Sequence, residues 1–154
     1  MNIYMRLEEL GLTLPKAPVI GGVYSPAKRF GNGLIYISGC GPVIDGELIQ
    51  GKLGENFTVE QGLEYSRKCM LNVLSVLEAN IGDLNKVKNV VKILTFVAGT
   101  NDFYDQPLVA NGGSKLLIDL FGEDMGAPSR SAIGVNALPG NIPVETEALF
   151  EFEV

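Results

Sequence analysis

The stretch GAPSRSAIGVNALPGNIPVETEALFEFEV, residues 126–154, carries the pattern from which the fold is read. From Val144 onward, Val144, Thr146, Ala148, Phe150 and Phe152 share one face, while Glu145, Glu147, Glu151 and Glu153 share the other. That is the two-residue period of a half-buried strand. Arg130 to Ala137 alternates as well, with Ile133 and Val135 on one face and Arg130, Ala132 and Gly134 on the other. Leu138-Pro139-Gly140-Asn141 between them is a turn signal, so the stretch predicts an antiparallel hairpin. If both apolar faces meet one core, Arg130 and Glu145 share the opposite face, as neighbours or about 7 Å apart on a diagonal.

Such a pair admits two readings. It is a solvated cross-strand ion pair contributing roughly 0.2–1 kcal/mol, or a rigid grip on a small anion with a carboxylate placed to hold water. Ala132, Gly134 and Leu149, on the same face in this register, are small or apolar. A face so composed is expected to be covered by another surface.

The 154 residues suit one domain, residues 1–154, with a sizeable core. Hydrophobic residues make up 46% and charged residues 19%, and mean hydropathy is +0.21, which fits a folded chain and points to a buried subunit interface. Net charge is −6 with no basic run. Nucleic-acid binding is disfavoured, because phosphate contacts need clustered Lys and Arg. There is no histidine, which removes the commonest general base and metal ligand. Cys40 and Cys69 lie far apart and form no CxxC pair, so a reducing, cytoplasmic setting is expected, without a disulfide framework or a metal. MNIYMRLEEL at the start lacks the apolar run of a signal peptide, and no run approaches the ~18 residues of a membrane span.

In chain order, residues 2–10 predict a short helix stopped by Gly11, and Pro15 and Pro18 force an extended arm as far as residue 20. Ala27–Phe30, Gly31-Asn32-Gly33 and Leu34–Ser38 read as a hairpin, closed by Ser38-Gly39-Cys40-Gly41-Pro42. The glycines flanking Cys40 are either an ordinary turn or a place where backbone approaches a ligand. With no basic neighbour in sequence, Cys40 reads as a small buried hydrophobe rather than a nucleophile. A loop with a short strand near Glu47–Ile49 precedes Thr58-Val59-Glu60-Gln61, a capping-box start to a helix reaching about Asn80. Leu84–Ala98 contains a strand apolar on both faces, with Val87, Val91, Ile93 and Val97 on one and Val90, Leu94 and Phe96 on the other. That marks a central or interface strand. Asn111-Gly112-Gly113-Ser114 predicts a turn before a helix from Ser114 to Phe121. The expected class is α+β, two helices on one face of a sheet whose other face needs a cover, supplied most simply by oligomerisation.

Assembled, these residues resemble the RidA/YjgF-like family, also labelled endoribonuclease L-PSP. The likeness runs from about Tyr24 to the C-terminus. It is most specific in the Arg-Ser pair of PSRSAIGV, the Leu138-Pro139 hairpin, Val144-Glu145-Thr146-Glu147 and YSPAKRFGNGLIYISG. RLEELGLTLP and the insertion DQPLVANGGS are similar to a longer branch.

The resemblance implies a chorismate-mutase-like α+β fold and a homotrimer whose sheets form a barrel, with ligand clefts between subunits. It implies hydrolysis of reactive 2-imino or enamine acids to 2-oxo acids and ammonia, with no cofactor. It assigns the substrate carboxylate to Arg130, the attacking water to Glu145, and the cleft lining to Tyr24 and to Ser38-Gly39. Asn111 is the candidate for the family's cleft asparagine. Cys40 stands where relatives often carry glutamine, and Ala132 contributes its backbone carbonyl. A non-catalytic trimer binding a small carboxylate is the alternative, and RNA cleavage is a third reading that the acidic charge opposes.

Overall fold

The alternation from Val144 to Phe152 becomes a strand in which each even-numbered residue is buried and each odd-numbered one half-buried. The computed structural model describes residues 2–154. Its elements are α1 (Ile3–Glu9), β1 (Ala27–Phe30), β2 (Leu34–Cys40), α2 (Val59–Ile81), β3 (Val87–Ala98), α3 (Gln106–Phe121), α4 (Glu123–Gly126), β4 (Ser129–Val135) and β5 (Val144–Phe152). The five strands form one mixed sheet in the order β1-β2-β5-β3-β4, and α2 and α3 cover one face. The class is α+β. Among the described residues no helix is long and apolar enough to cross a membrane.

The expected hairpin of residues 126–154 does not form. β3 lies between β4 and β5, antiparallel to β5 and parallel to β4. Parallel neighbours require a long crossover, and α3 supplies it between β3 and β4. The Pro139–Asn141 segment is a tight turn with Gly140 and Asn141 at positive φ, within a loop that passes over the β3 end, not the tip of a two-stranded hairpin. Apolar residues on both faces of β3 explain the insertion, since such a strand belongs inside a sheet.

The face assignment within β3 also changes along its length. Register shifts lie between Val87 and Asn89 and between Val90 and Lys92. Val90, not Val91, consequently joins Ile93 and Val97 in the core, and Thr95 is buried with them. An extra residue at a bulge reverses the alternation beyond it.

The capping box of α2 is present: the Gln61 amide donates to Thr58 Oγ1 at 3.2 Å and the Thr58 amide to Gln61 Oε1 at 2.9 Å. These bonds satisfy amides that a helix start leaves open. Gly82 ends the helix in the left-handed region at φ 83°. Met70, Leu74 and Leu77 from α2 meet Leu117 and Leu120 from α3 and Ile93 and Phe150 from the sheet in one core. Each such fully buried side chain contributes roughly 1.5–3 kcal/mol.

α3 begins at Gln106, eight residues before the expected Ser114, and Asn111-Gly112-Gly113-Ser114 lies inside it. The glycines serve helix contact rather than a turn. A Cβ on Gly112 would overlap the Leu63 carbonyl oxygen of α2, and the Gly113 amide donates to Ser66 Oγ at 3.1 Å. Gly112→Ala should therefore lower stability by about 1–3 kcal/mol through overpacking, although alanine is the better helix former by roughly 1 kcal/mol. A thermal melt with an unchanged or higher midpoint would contradict this contact.

Residues Glu47–Ile49 form no strand; Leu53 instead bridges to Gly99 beside the end of β3. At the N-terminus, α1 docks through Arg6 Nε to the Asp119 carbonyl at 2.8 Å. The sheet face away from α2 and α3 carries Lys92, Leu94, Phe96, Glu145, Glu147 and Leu149, together with the exposed Tyr36 and Ile133.

Candidate functional site

Arg130 sits on the edge strand β4 in register with the buried Ile93, so its side chain leaves the sheet on the helix side. Ala132 and Gly134 share that side, and Gln106 of α3 packs over Gly134. This corrects the expectation for β4: Ile133 and Val135 are on the open face, and Arg130 faces α3. Arg130 Nη1 donates to Asn111 Oδ1 at 2.7 Å and to Ser114 Oγ at 3.1 Å. Both acceptors are neutral, and among the described residues Arg130 has no salt bridge. Its positive charge is therefore held in place without being neutralised, the condition for binding an anion.

A second group of residues lines a cavity of about 600 Å³ on the open face of the sheet. β2 contributes Tyr36, Ser38 and Gly39, β5 contributes Glu145 and Glu147, and the preceding loops contribute Tyr24, Pro139 and Ile142. The Ser38 hydroxyl donates to the Ser25 carbonyl at 2.7 Å and the Ser38 amide to the Pro26 carbonyl at 2.9 Å. These bonds tie the loop bearing Tyr24 to β2. Gly39 is required by its neighbour: a Cβ there would collide with Glu145 Oε1. The carboxylate thus rests directly on backbone, where no other residue leaves space.

Burial raises the Glu145 pKa above the ordinary carboxylate range, and the charge of Glu147 raises it further. Tyr36 donates to Glu147 Oε1 at 2.7 Å. That hydrogen bond, with burial, pushes the Tyr36 pKa up to about 12, so its hydroxyl remains a neutral donor at physiological pH. Cys40 does not line this cavity. It faces the core and borders an adjoining, smaller one of about 210 Å³, which Tyr24, Ser38 and Gly39 also line, together with Pro18 and Val76. Burial, then the charge of Glu145, pushes its thiol up to about 12. It is a packed thiol, without the thiolate that nucleophilic attack requires.

The structure therefore gathers Tyr24, Ser38, Gly39 and Glu145 at one place and Arg130 and Asn111 at another, with Ala132 beside Arg130. Arg130 and Glu145 do not meet within one chain. They pair with Ile93 and Phe96 of β3, which point to opposite faces. The two positions are about 10 Å apart along the strands and about 10 Å across two strand spacings. Three residues escaped the sequence reading: Ser114, Tyr36 and Glu147. Ser114 becomes visible once α3 is extended to Gln106, because residues three apart share a helix face. Tyr36 alternates with the buried Ile35 and Ile37 and so had to face the glutamates of β5.

Comparison with known proteins follows the same lines. Residues 4–145 match the family described as "YjgF/chorismate mutase-like, putative endoribonuclease". Protein TCP17 of Trypanosoma cruzi is 40% identical over 151 residues, covering 97% of this chain and 94% of that one. A 2-iminobutanoate/2-iminopropanoate deaminase of Dermatophagoides farinae is 29% identical over 144 residues, covering 92% and 95%. The crystal structure of Atu1372 from Agrobacterium tumefaciens, a protein with unknown function, superposes with a TM-score of 0.90 at 37% identity, covering 98% of this chain and 92% of that one. The helices on one side of the mixed sheet, the glutamates on the other and a match across most of the length agree: this chain is a member of the YjgF/chorismate mutase-like family.

Proposed function

We propose that the protein hydrolyses 2-imino and enamine acids to 2-oxo acids and ammonia, in clefts between the subunits of a homotrimer. The observation that carries this reading is the Glu145 carboxylate, seated against Gly39 in a cavity and resisting ionisation. The name of the mite relative, a deaminase of such imines, supports it. Arg130 supplies the charge for the substrate carboxylate. Since Arg130 and Glu145 leave opposite faces of one sheet, the cleft combines Arg130 of one subunit with Glu145, Tyr24 and Ser38-Gly39 of a neighbour. The open face with Leu94, Phe96, Leu149, Tyr36 and Ile133 is apolar enough to call for that neighbour.

The chemistry asks little of the protein. C2 of a protonated imine is already electrophilic, so orientation of water and charge neutralisation carry the rate. Water adds to C2 as Glu145 takes one of its protons. Glu145 returns that proton to nitrogen, and the carbinolamine expels ammonia as Glu145 takes the hydroxyl proton, which leaves the 2-oxo acid; the proton then departs with ammonia as ammonium. A carboxyl with a raised pKa suits these transfers. Net charge −6 and the absence of histidine weigh against RNA cleavage.

The test is ammonia release from 2-iminobutyrate generated in place by an amino-acid oxidase. The protein should accelerate it well above the spontaneous rate. No acceleration with this imine or with imines of bulkier amino acids, alongside tight retention of 2-oxobutyrate, would replace catalysis by simple carboxylate binding.

A further inference from the structure

The two contacts of Arg130 fall on a single nitrogen. Nη1 carries two hydrogens, and Asn111 Oδ1 and Ser114 Oγ are there to accept them. Among the described residues no hydrogen bond involves Nε or Nη2 of Arg130. We infer that Asn111 and Ser114 are positioning residues that aim the Nε–Nη2 edge of Arg130 at the substrate carboxylate. The inference rests on the reading of Arg130 as the carboxylate-binding group. It goes beyond that reading by naming the edge of the guanidinium that binds and the two side chains that present it.

A guanidinium holds its donors in one rigid plane, and the Nε–Nη2 edge matches the spacing of two carboxylate oxygens. Fixing Nη1 from behind prevents rotation about the last side-chain bonds, so less freedom is lost when the anion arrives. The support is itself fixed. Asn111 and Ser114 are three apart on one face of α3, and Ser114 Oγ donates to the Ala110 carbonyl at 3.3 Å. Gly112 and Gly113, between them, are the residues at which α3 contacts the α2 backbone and Ser66. The helix segment that aims the arginine is therefore anchored against α2. Neutral acceptors matter as well: a carboxylate at position 111 would hold Arg130 equally well but cancel the charge that the substrate needs.

Steady-state kinetics of the intact protein with 2-iminobutyrate test this, alongside 2-oxobutyrate as a competitive ligand. Replacing both supports, Asn111→Ala with Ser114→Ala, should raise KM and the 2-oxobutyrate inhibition constant together by about tenfold or more, with kcat changed far less. Asn111→Asp, which preserves shape and the acceptor, should raise both constants at least as much. Ser114→Thr, which keeps the hydroxyl, should stay near wild type. Asn111 is exposed, so Asn111→Asp tests the idea even where the double variant folds poorly. If Arg130→Ala abolishes binding while Asn111→Asp and the double variant keep wild-type constants, the positioning role is wrong and the arginine reading stands. If Arg130→Ala itself leaves KM and kcat unchanged, that reading falls, and this one with it.

Discussion

Arg130→Ala should lower kcat/KM for 2-iminobutyrate by about 10²–10³-fold, the loss expected when one partner of a hydrogen-bonded, desolvated charge pair is removed. The size follows from what the side chain lacks. Its Nη1 is occupied by two neutral acceptors, and no carboxylate of the described residues neutralises it, so its charge is available to the ligand. Arg130→Lys keeps the charge and loses the planar fork, and should recover only a minor part of the activity. Folding is little affected, because the acceptors left behind, Asn111 exposed and Ser114 half-buried, remain accessible to water. Stopped assays of ammonia release with a thermal melt of the same samples measure both. A variant with near-normal kcat/KM would remove Arg130 from the site.

Glu145→Gln should have a comparable or larger effect, about 10²–10⁴-fold in kcat, as expected if a general base is lost. It also alters two pH dependences, and the signs differ. Wild-type kcat should fall as pH drops through the raised Glu145 pKa, above the ordinary carboxylate range, because only the ionised form accepts the proton from water. The residual activity of Glu145→Gln should lack that acid limb. For stability, folding raises this pKa, so the folded chain binds more protons than the unfolded chain just above the ordinary range. The contribution of Glu145 to folding is therefore full in acid and is lost as pH rises through the folded value. At neutral pH the substitution should raise the unfolding midpoint, and in acid the two proteins should melt alike. A Glu145→Gln protein less stable than wild type at neutral pH would mean that the carboxylate is paired rather than merely buried.

Much of this architecture can be read from residues close together in the chain. The alternation of β5, the capping box of Thr58 and Gln61 and the Gly31-Asn32-Gly33 turn are local signals, and each formed its expected element. The departures arise where distant contacts override them. Gly112 and Gly113 look like a turn until α2 is packed against them, when the missing side chains become the condition for a close helix contact. Two strands that look like a hairpin are separated because β3, apolar on both faces, takes the place between them. The strand-helix-strand order of β3, α3 and β4 held the signal of a parallel pair. Once α3 is cut short, that signal is lost. The same misplacement governs the site. Tyr24, Ser38 and Gly39 lie in or beside the local β1–β2 hairpin and Glu145 on the strand whose alternation is plain in the sequence, and they converge. Arg130 lies on the strand whose partner was misread, so its face was reversed and Ser114 went unseen.

Opposite faces for Arg130 and Glu145 make one direct experiment possible. Chains carrying Arg130→Ala and chains carrying Glu145→Gln, with different affinity tags, are co-expressed, and the doubly tagged oligomer is isolated. In any mixed trimer, one of three clefts joins an intact Arg130 from one subunit to an intact Glu145 from the next, so activity should return to about a third of wild type. Mixed oligomers no more active than either parent, or doubly tagged material that never forms, would show that the two residues do not complete one another across a subunit boundary.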